Sequence, residues 1–401
     1  MPEILPLVPS LEMKLAVVTE CYHPIRNGVV AAIDWSVTTL RRSGHQVRIF
    51  APHLPLWTDP GSDVVRIPSV GNPFYPLYPA ALPWSSVLKD GMKKWSPDIV
   101  HTHSFFWLSR WALNWAQKIS CPVVSTFHTR AEEYVHYGKM PPFLSRLVVI
   151  HWMKSFYRRC DAIFVVSPLT EAFLRKIGVH VPVFYTPTGV DDNLFRPRDR
   201  VAIRRSFHLP SEGILMAYSG RLAKEKNLPF LLQALAPLLR KRRDCYLLLI
   251  GNGPLRRELQ SVAVRYYNLE NQVLFFGSQP RERVAQLLSG SDFFVFPSTT
   301  ETQGLAVIEA MMSGLPVVAV NAGGPACYVE NGKEGFLTAE NENDFQRAVE
   351  RLLDDPQIRE KMGTAARQKA TRLFSFAVCA ESLERAYRAV LQKSRVSGTD
   401  Q

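Results

Sequence analysis

Residues 293–324 read FFVFPSTTETQGLAVIEAMMSGLPVVAVNAGG, and the rest of the chain is best read outward from them. The apolar run Phe293–Phe296 has the length and composition of a strand buried on both faces. Residues Pro297 to Thr300 break it with turn formers, and a helix is expected from about Gly304 to Met312. Ser313-Gly314 stop that helix and feed a second strand over Leu315–Val320. Strand, helix and strand in this order make a βαβ unit. Its first loop lies at the carboxyl end of a strand, where open α/β sheets bind ligands.

Two carboxylates stand in this unit eight positions apart, Glu301 in the loop and Glu309 about one turn into the helix. Both can face one ligand, and the backbone N–H groups at Gly304 and Leu305 offer an anion site at the helix N-terminus. Spacing alone leaves a plainer reading open, in which Glu301 answers the helix dipole and Glu309 is a solvated helix residue. The full pattern is E-x7-E after a strand ending F-P-S, followed by G-L-P-V-V-A. It resembles the donor-sugar motif of retaining family 4 glycosyltransferases of GT-B fold. That resemblance implies that Glu301 contacts hydroxyls of the transferred sugar and Glu309 the ribose of the nucleotide.

The second half carries further pieces of the same resemblance. The strand Ile214–Ser219 runs into GRLAKEKN (220–227), where Arg221 and Lys226 are five positions apart. Two cations on one loop can neutralise a diphosphate, arginine through a forked pair of bonds and lysine as a point charge. They would also stabilise charge building on a departing phosphate. G-R-x-x-x-x-K resembles the diphosphate motif of the family. GNGP (251–254), with Gly253, resembles its backbone approach to the donor, and Ser278-Gln279 stand where relatives hold the nucleobase.

In the first half, Lys14–Glu20, a loop over Cys21–Val30, a helix over Ala31–Ser43 and a strand over Gln46–Phe50 make a Rossmann-like start. No G-x-G-x-x-G follows the first strand, so dinucleotide binding is unsupported there. Gly28 is either a plain turn glycine or, on the resemblance, a loop residue that lets the backbone approach a sugar phosphate. His128 ends the strand Pro122–His128. The surrounding TFHTRAEEYVHY resembles a segment of diacylglycerol glucosyltransferases, a branch of the family. This implies His128 beside the transferred sugar, and Glu133, Tyr134 and His136 near the acceptor. The Thr302-Gln303 pair matches the E-T-Q-G-L form of that branch, which implies glucose as the sugar.

Residues 139–159 carry five Lys/Arg and no acid, and beyond Pro142 they read as a helix with Phe143, Leu147, Ile150, Met153 or Lys154, and Tyr157 at helical spacing. A basic amphipathic helix suits an anionic membrane surface, with Arg146, Lys154, Arg158 and Arg159 on head groups. An ordinary helix packed on the sheet is the alternative.

Composition sets the outer bounds. At 401 residues the chain suggests two or three domains, and no run of 18 apolar residues predicts a transmembrane helix. Met1–Ser10 lacks the basic start and apolar stretch of a signal peptide. Six scattered cysteines without a C-x-x-C pair argue for a reducing compartment and against zinc or a disulfide framework. The net charge of +12 invites anionic partners, but no nucleic-acid-binding signature accompanies it.

The expected architecture is α/β of GT-B type, two doubly wound Rossmann-like domains facing a cleft. Its parts are a lead-in over 1–13, an acceptor-side domain over 14–195, a nucleotide-sugar domain over 196–375, and a C-terminal helix over 376–401 crossing back to the first domain. The linker TPTGVDDNLFRP (186–197) resembles the one joining GT-B domains. The resemblance implies hexose transfer, with glucose from UDP-glucose to a diacylglycerol hydroxyl favoured. It further implies retained configuration, no cofactor, no metal, and a cytoplasmic enzyme held peripherally at the membrane. Sulfoquinovosyl or mannosyl lipid transfer, a soluble sugar acceptor, and a non-catalytic nucleotide-sugar binder or membrane scaffold are the alternatives.

Overall fold

In the computed structural model the described residues are 12–398, except residues 26, 56, 60, 62, 72–78, 83–84, 129 and 131–140. They form two compact units. One comprises the chain to Val166, Thr170–Thr188 and the chain from Ala380; the other comprises Ser167–Leu169 and Gly189–Cys379. The chain thus leaves the first unit after Thr188, where the sequence placed a boundary near 195.

The first unit begins with β1 (Lys14–Val18), α1 (Gly28–Arg42), β2 (Gln46–Pro52), β3 (Val64–Ile67), the ribbon β4 (Ser69–Val70) and β5 (Ala80–Ala81), and α2 (Ser86–Trp95). It continues with β6 (Ile99–Thr102), α3 (Trp107–Lys118), β7 (Val123–Phe127), α4 (Pro142–Tyr157), β8 (Ala162–Val165), α5 (Pro168–Lys176) and β9 (Val183–Tyr185). Its main sheet has the order β3-β2-β1-β6-β7-β8-β9, every pair parallel. A parallel sheet needs helical crossovers that cover both faces, which is why strands such as Ile99–Thr102 and Ala162–Val165 are buried at every position. Helix α1 starts three residues earlier than the apolar pattern suggested, because the Asn27 side chain accepts from the Val30 N–H at 2.9 Å and caps it.

The second unit runs α6 (Arg200–Ser206), β10 (Ile214–Ser219), α7 (Leu228–Lys241), β11 (Cys245–Ile250), α8 (Arg256–Arg265), β12 (Val273–Gly277) and α9 (Arg281–Ser289). Then follow β13 (Phe293–Phe296), α10 (Leu305–Met312), β14 (Val317–Val320), β15 (Gly335–Thr338), α11 (Glu342–Asp354) and α12 (Pro356–Phe374). Its sheet is again all parallel, in the order β12-β11-β10-β13-β14-β15. Tyr218, Phe293, Phe294 and Phe345 are fully buried at its centre. The last helix, α13 (Phe376–Gly398), belongs to the first unit from Ala380 onward, and its Tyr387 is fully buried there. Two doubly wound, Rossmann-like units are therefore present.

Helix α4 departs from a single apolar face. Met153, Phe156 and Tyr157 in its C-terminal half are buried in the first unit's core. In its N-terminal half Phe143, Leu147 and Val148 are 71%, 50% and 56% exposed. The helix leaves the core partway along its length, so its apolar residues divide between protein and solvent. Arg158 is committed to the protein, its Nε donating to the Gly178 carbonyl at 2.9 Å, and Arg159 Nη2 donates to Asn114 Oδ1 at 2.7 Å and to Gln117 Oε1 at 2.5 Å.

Candidate functional site

All strands of the second sheet are parallel, so their carboxyl ends share one edge. Along it, in spatial order, lie Ser278 and Gln279 after β12, Gly253 after β11, Arg221 and Lys226 after β10, and Glu301 to Glu309 after β13. Lys226 sits in a 3-10 turn (Lys224–Lys226), and its Nζ bonds Oε1 of Glu301. Ser298 Oγ donates to the same oxygen at 3.2 Å, so the Glu301 carboxylate is held from two sides. Both members of the ion pair are largely buried, which strengthens the attraction by limiting solvent screening. Arg221 stands on the same loop with an exposed side chain, and its carbonyl accepts from the buried Tyr218 hydroxyl at 3.2 Å.

The backbone around Glu301 is fixed from the following loop. The Gly324 N–H donates to the Glu301 carbonyl at 2.7 Å. Gly323 has φ +62°, and a Cβ there would come within 2.6 Å of that same carbonyl oxygen, so only glycine fits. The Tyr328 hydroxyl lies 3.0 Å from the Gln303 carbonyl and 3.1 Å from that of Gly304, donating to one at a time. Helix α10 opens at Leu305, with Gly304 in left-handed conformation before it. Gly253 is required by its own neighbour, since a Cβ would meet the Leu222 carbonyl oxygen at 2.3 Å. That requirement couples the loops after β10 and β11.

Glu309 is mostly buried. Its carboxyl is raised above the ordinary range by burial, an effect opposed by Arg281, whose Nη2 bonds Oε1 at 2.8 Å. Sequence reasoning missed Arg281. It stands 28 positions from Glu309 at the start of α9, and nothing local marks the pairing. Ser278 is exposed, while Gln279 Nε2 donates to the Phe276 carbonyl at 2.7 Å.

The carboxyl edge of the first sheet holds Glu20 after β1, His103 after β6 and His128 after β7, three adjacent strands. Nδ1 of His103 and Nε2 of His128 are 2.7 Å apart. Burial lowers the His128 ring to about 4 and the His101 ring to about 3, so both are neutral near pH 7. Neutral His128 can orient a hydroxyl, but it carries no charge of its own. Glu20 Oε1 accepts from the N–H groups of Leu108 at 2.8 Å and Ser109 at 3.2 Å, at the start of α3. Burial still outweighs those bonds and pushes its carboxyl up to about 7. Gly28 begins α1, and a Cβ there would meet nothing within 4 Å, so the protein's own packing does not demand glycine. Glu133, Tyr134 and His136 lie outside the described residues. Neither Glu20 nor His103 was singled out from the sequence. Their roles depend on neighbouring strands, not on spacing along one.

Two family models match the chain. Glycosyltransferase Family 4 covers residues 26–194, and Glycosyl transferases group 1 covers residues 199–369. Among curated relatives, a GDP-mannose-dependent alpha-mannosyltransferase of Corynebacterium glutamicum is 28% identical over 88% of this chain and 84% of its own. An alpha-monoglucosyldiacylglycerol synthase of Streptococcus pneumoniae is 28% identical over 77% of this chain and 71% of its own. A D-inositol 3-phosphate glycosyltransferase of Segniliparus rotundus is 30% identical, covering 88% and 83%. Among solved structures, the sucrose-phosphate synthase of Thermosynechococcus elongatus superposes with a TM-score of 0.78 at 22% identity, over 95% of this chain and 100% of its own. Anabaena HepE in complex with UDP-glucose superposes at 0.74 and 18% identity, covering 94% and 100%.

Proposed function

Since this chain belongs to the family 4, group 1 glycosyltransferases of GT-B fold, we propose that it transfers glucose from UDP-glucose to a diacylglycerol-type lipid. The carrying observation is the second sheet's edge, where Arg221, Lys226, Glu301 and Glu309 come from the ends of two neighbouring strands. In this reading Glu301 accepts from hydroxyls of the transferred sugar and Glu309 from the ribose. Arg221 and Lys226 meet the diphosphate, with help from the N–H groups at Gly304 and Leu305.

The same groups supply the catalysis. As the bond from the anomeric carbon to the phosphate breaks, negative charge builds on the leaving diphosphate. Two preorganised cations stabilise that charge more than they stabilise the intact donor, which lowers the barrier. The departing phosphate oxygen takes the proton of the attacking hydroxyl on the same face, so configuration is retained and no protein nucleophile is needed. Cations of the chain itself fill the role that a divalent metal plays elsewhere, and activity should persist in EDTA. Gly253, Ser278 and Gln279 line the nucleoside end, and Gly28 leaves room for the sugar phosphate. On the first unit's edge, His128 orients the transferred sugar, with Glu133, Tyr134 and His136 toward the acceptor.

A lipid acceptor requires reaching a bilayer. Among the described residues no helix is long and apolar enough to cross one. Phe143, Leu144, Leu147 and Val148 are exposed on α4 beside exposed Arg146, a combination that suits peripheral attachment to an anionic leaflet on its cytoplasmic face. Replacing Leu147 and Val148 together with serine should reduce co-sedimentation with phosphatidylglycerol vesicles and leave UDP binding unchanged. Equal sedimentation of variant and parent would return α4 to a purely structural role.

Radiolabelled UDP-glucose with diacylglycerol in mixed micelles tests the whole reading, and a labelled glycolipid is expected. GDP-mannose is the competing donor, because the relative from Corynebacterium glutamicum is described as using it. Labelled product from GDP-mannose alone would replace glucose by mannose and keep the site.

A further inference from the structure

The two histidines at neighbouring strand ends share one hydrogen bond, and the nitrogens they do not share indicate its direction. His101 lies in β6 and His103 just beyond it, two positions apart and therefore on the same face of the sheet. On β7, Thr126 meets His101 and His128 follows to meet His103. The rings of His103 and His128 have planes 16° apart and centroids 5.0 Å apart, with 2.7 Å between Nδ1 and Nε2. That is the edge-to-edge arrangement of an N–H···N bond.

His103 is 5% exposed, and its Nε2 is buried with no hydrogen-bond partner among the described residues. A neutral imidazole carries one N–H and one bare nitrogen. A buried N–H without an acceptor is among the rarest arrangements in folded proteins, whereas a bare lone pair is tolerated more easily. The proton of His103 therefore belongs on Nδ1, pointing at His128. Nε2 of His128 accepts it, and the proton of His128 is left on Nδ1.

The orientation of His103 is itself secured. The His101 ring packs against it at 4.1 Å between centroids. His101 is held at both nitrogens, by the Tyr387 hydroxyl at 2.5 Å and the Thr126 hydroxyl at 2.7 Å. A half-turn of the His103 ring would put a carbon in place of Nδ1 and forfeit the bond to His128. Burial also keeps His103 well below the ordinary histidine range, so it does not acquire a second proton near neutrality.

We infer that His103 is a positioning residue that fixes His128 as the neutral ring protonated on Nδ1. The inference rests on the reading of His128 as a sugar-side group. It deepens that reading by giving His128 one action: its Nδ1–H donates to a sugar oxygen, and its Nε2, already occupied, cannot serve as a general base.

The test is long-range proton–nitrogen correlation NMR on histidine-labelled full-length protein, with the His128 signals assigned through His128→Gln. His128 is expected as the Nδ1–H tautomer at pH 7. A His128 ring protonated on Nε2 in the parent protein overturns the inference without any variant of His103. His103→Phe, or His103→Leu should the larger ring prevent folding, should release His128 to a tautomer mixture. It should also lower kcat roughly tenfold to a hundredfold, by analogy with the partners that orient metal-ligating histidines, with little change in KM for the donor. His103→Gln, which keeps an N–H donor, should recover much of both. An unchanged His128 tautomer in His103→Phe or His103→Leu would mean that His103 only packs, whatever the rate does. Full activity in His128→Ala would instead remove the sugar-side reading of His128, an outcome separate from the NMR result.

Discussion

Among the described residues, the titratable groups at the carboxyl edge of the first sheet are held by hydrogen bonds and ring contacts, while at the same edge of the second sheet the two carboxylates are held in ion pairs. His101, His103 and His128 are neutral rings joined by hydrogen bonds or contact, and Glu20 is satisfied by backbone N–H groups of α3 and a serine hydroxyl. Across the second sheet's edge, Lys226 faces Glu301 and Arg281 faces Glu309. Neutral donors and acceptors suit hydroxyl groups, which carry no charge to balance. Paired charges suit a diphosphate, because a pair can be reopened and shared with an incoming anion. The two edges are built on the same parallel architecture, so the difference lies in side chains at strand ends and not in the fold.

Breaking the charged edge should have the largest effect. If Lys226 meets the diphosphate, Lys226→Ala removes a cation from the developing charge and should lower kcat on the order of 10²–10³-fold, the loss seen when one preorganised transition-state donor is deleted. Glu301→Ala should fall at least as far, since on the proposed reading it removes a sugar contact and also breaks the ion pair with Lys226. Circular dichroism and thermal unfolding must show both variants folded. Rates within threefold of the parent in either would dissociate this edge from catalysis.

Glu20 sets a hydrogen-bonded acid against the ion-paired carboxylates of the second edge. The Glu20 carboxyl is raised from 4.5 to about 7, so the folded state holds its proton more tightly than the unfolded chain does. Its contribution to stability is complete below pH 4.5 and is lost as pH rises through about 7, a change of about 3 kcal/mol. In Glu20→Gln that decline should vanish, so the difference in unfolding free energy between variant and parent should shift in favour of the variant from pH 5 to pH 8. A difference that is flat with pH would mean that Glu20 is ionised in the folded protein throughout.

Much of the charged edge was legible in the sequence because its parts are local. Phe293–Phe296 and Val317–Val320 are uninterrupted apolar runs, so the βαβ unit and its loop followed from length and turn residues. Arg221 and Lys226, and Glu301 and Glu309, each follow one strand. The neutral edge was less legible. The partner of His128 is His103, 25 positions earlier on a neighbouring strand, and a histidine of that kind cannot be distinguished by spacing from one that only packs. Tyr387, 286 positions from His101, lies further still from any local signal. Helix α4 shows the opposite limit. Its apolar spacing was visible, but which half meets the core depends on where α4 leaves the sheet.

A smaller effect is expected at the far end of the histidine chain. Tyr387→Phe keeps the ring of α13 in place and removes the hydroxyl 2.5 Å from His101 Nδ1. A buried polar atom left unsatisfied costs about 1–3 kcal/mol, which should appear in denaturant unfolding of the variant. The neutral edge predicts that kcat changes little, because Thr126 still holds His101 against His103. A tenfold loss of kcat at unchanged stability would mean that α13 takes part in setting His128.

The smallest effect separates the two ion pairs of the charged edge from each other. Arg281 is 45% exposed while Glu309 is only 15% exposed, so the pair sits at the rim and solvent screens the cation. Burial already raises the Glu309 carboxyl, and Arg281 is what restrains that rise. Arg281→Ala should therefore raise it further and leave a larger protonated fraction at low pH. If Glu309 accepts from the ribose as a carboxylate, UDP affinity of the variant should fall by less than about tenfold, and more at pH 6 than at pH 8. Calorimetric titration at the two pH values measures this directly. Tighter binding in the variant at both would show the reverse arrangement, with Arg281 competing against the ribose for Glu309. The two pairs would then differ in kind: Lys226 is retained for the phosphate when the donor arrives, and Arg281 is displaced by it.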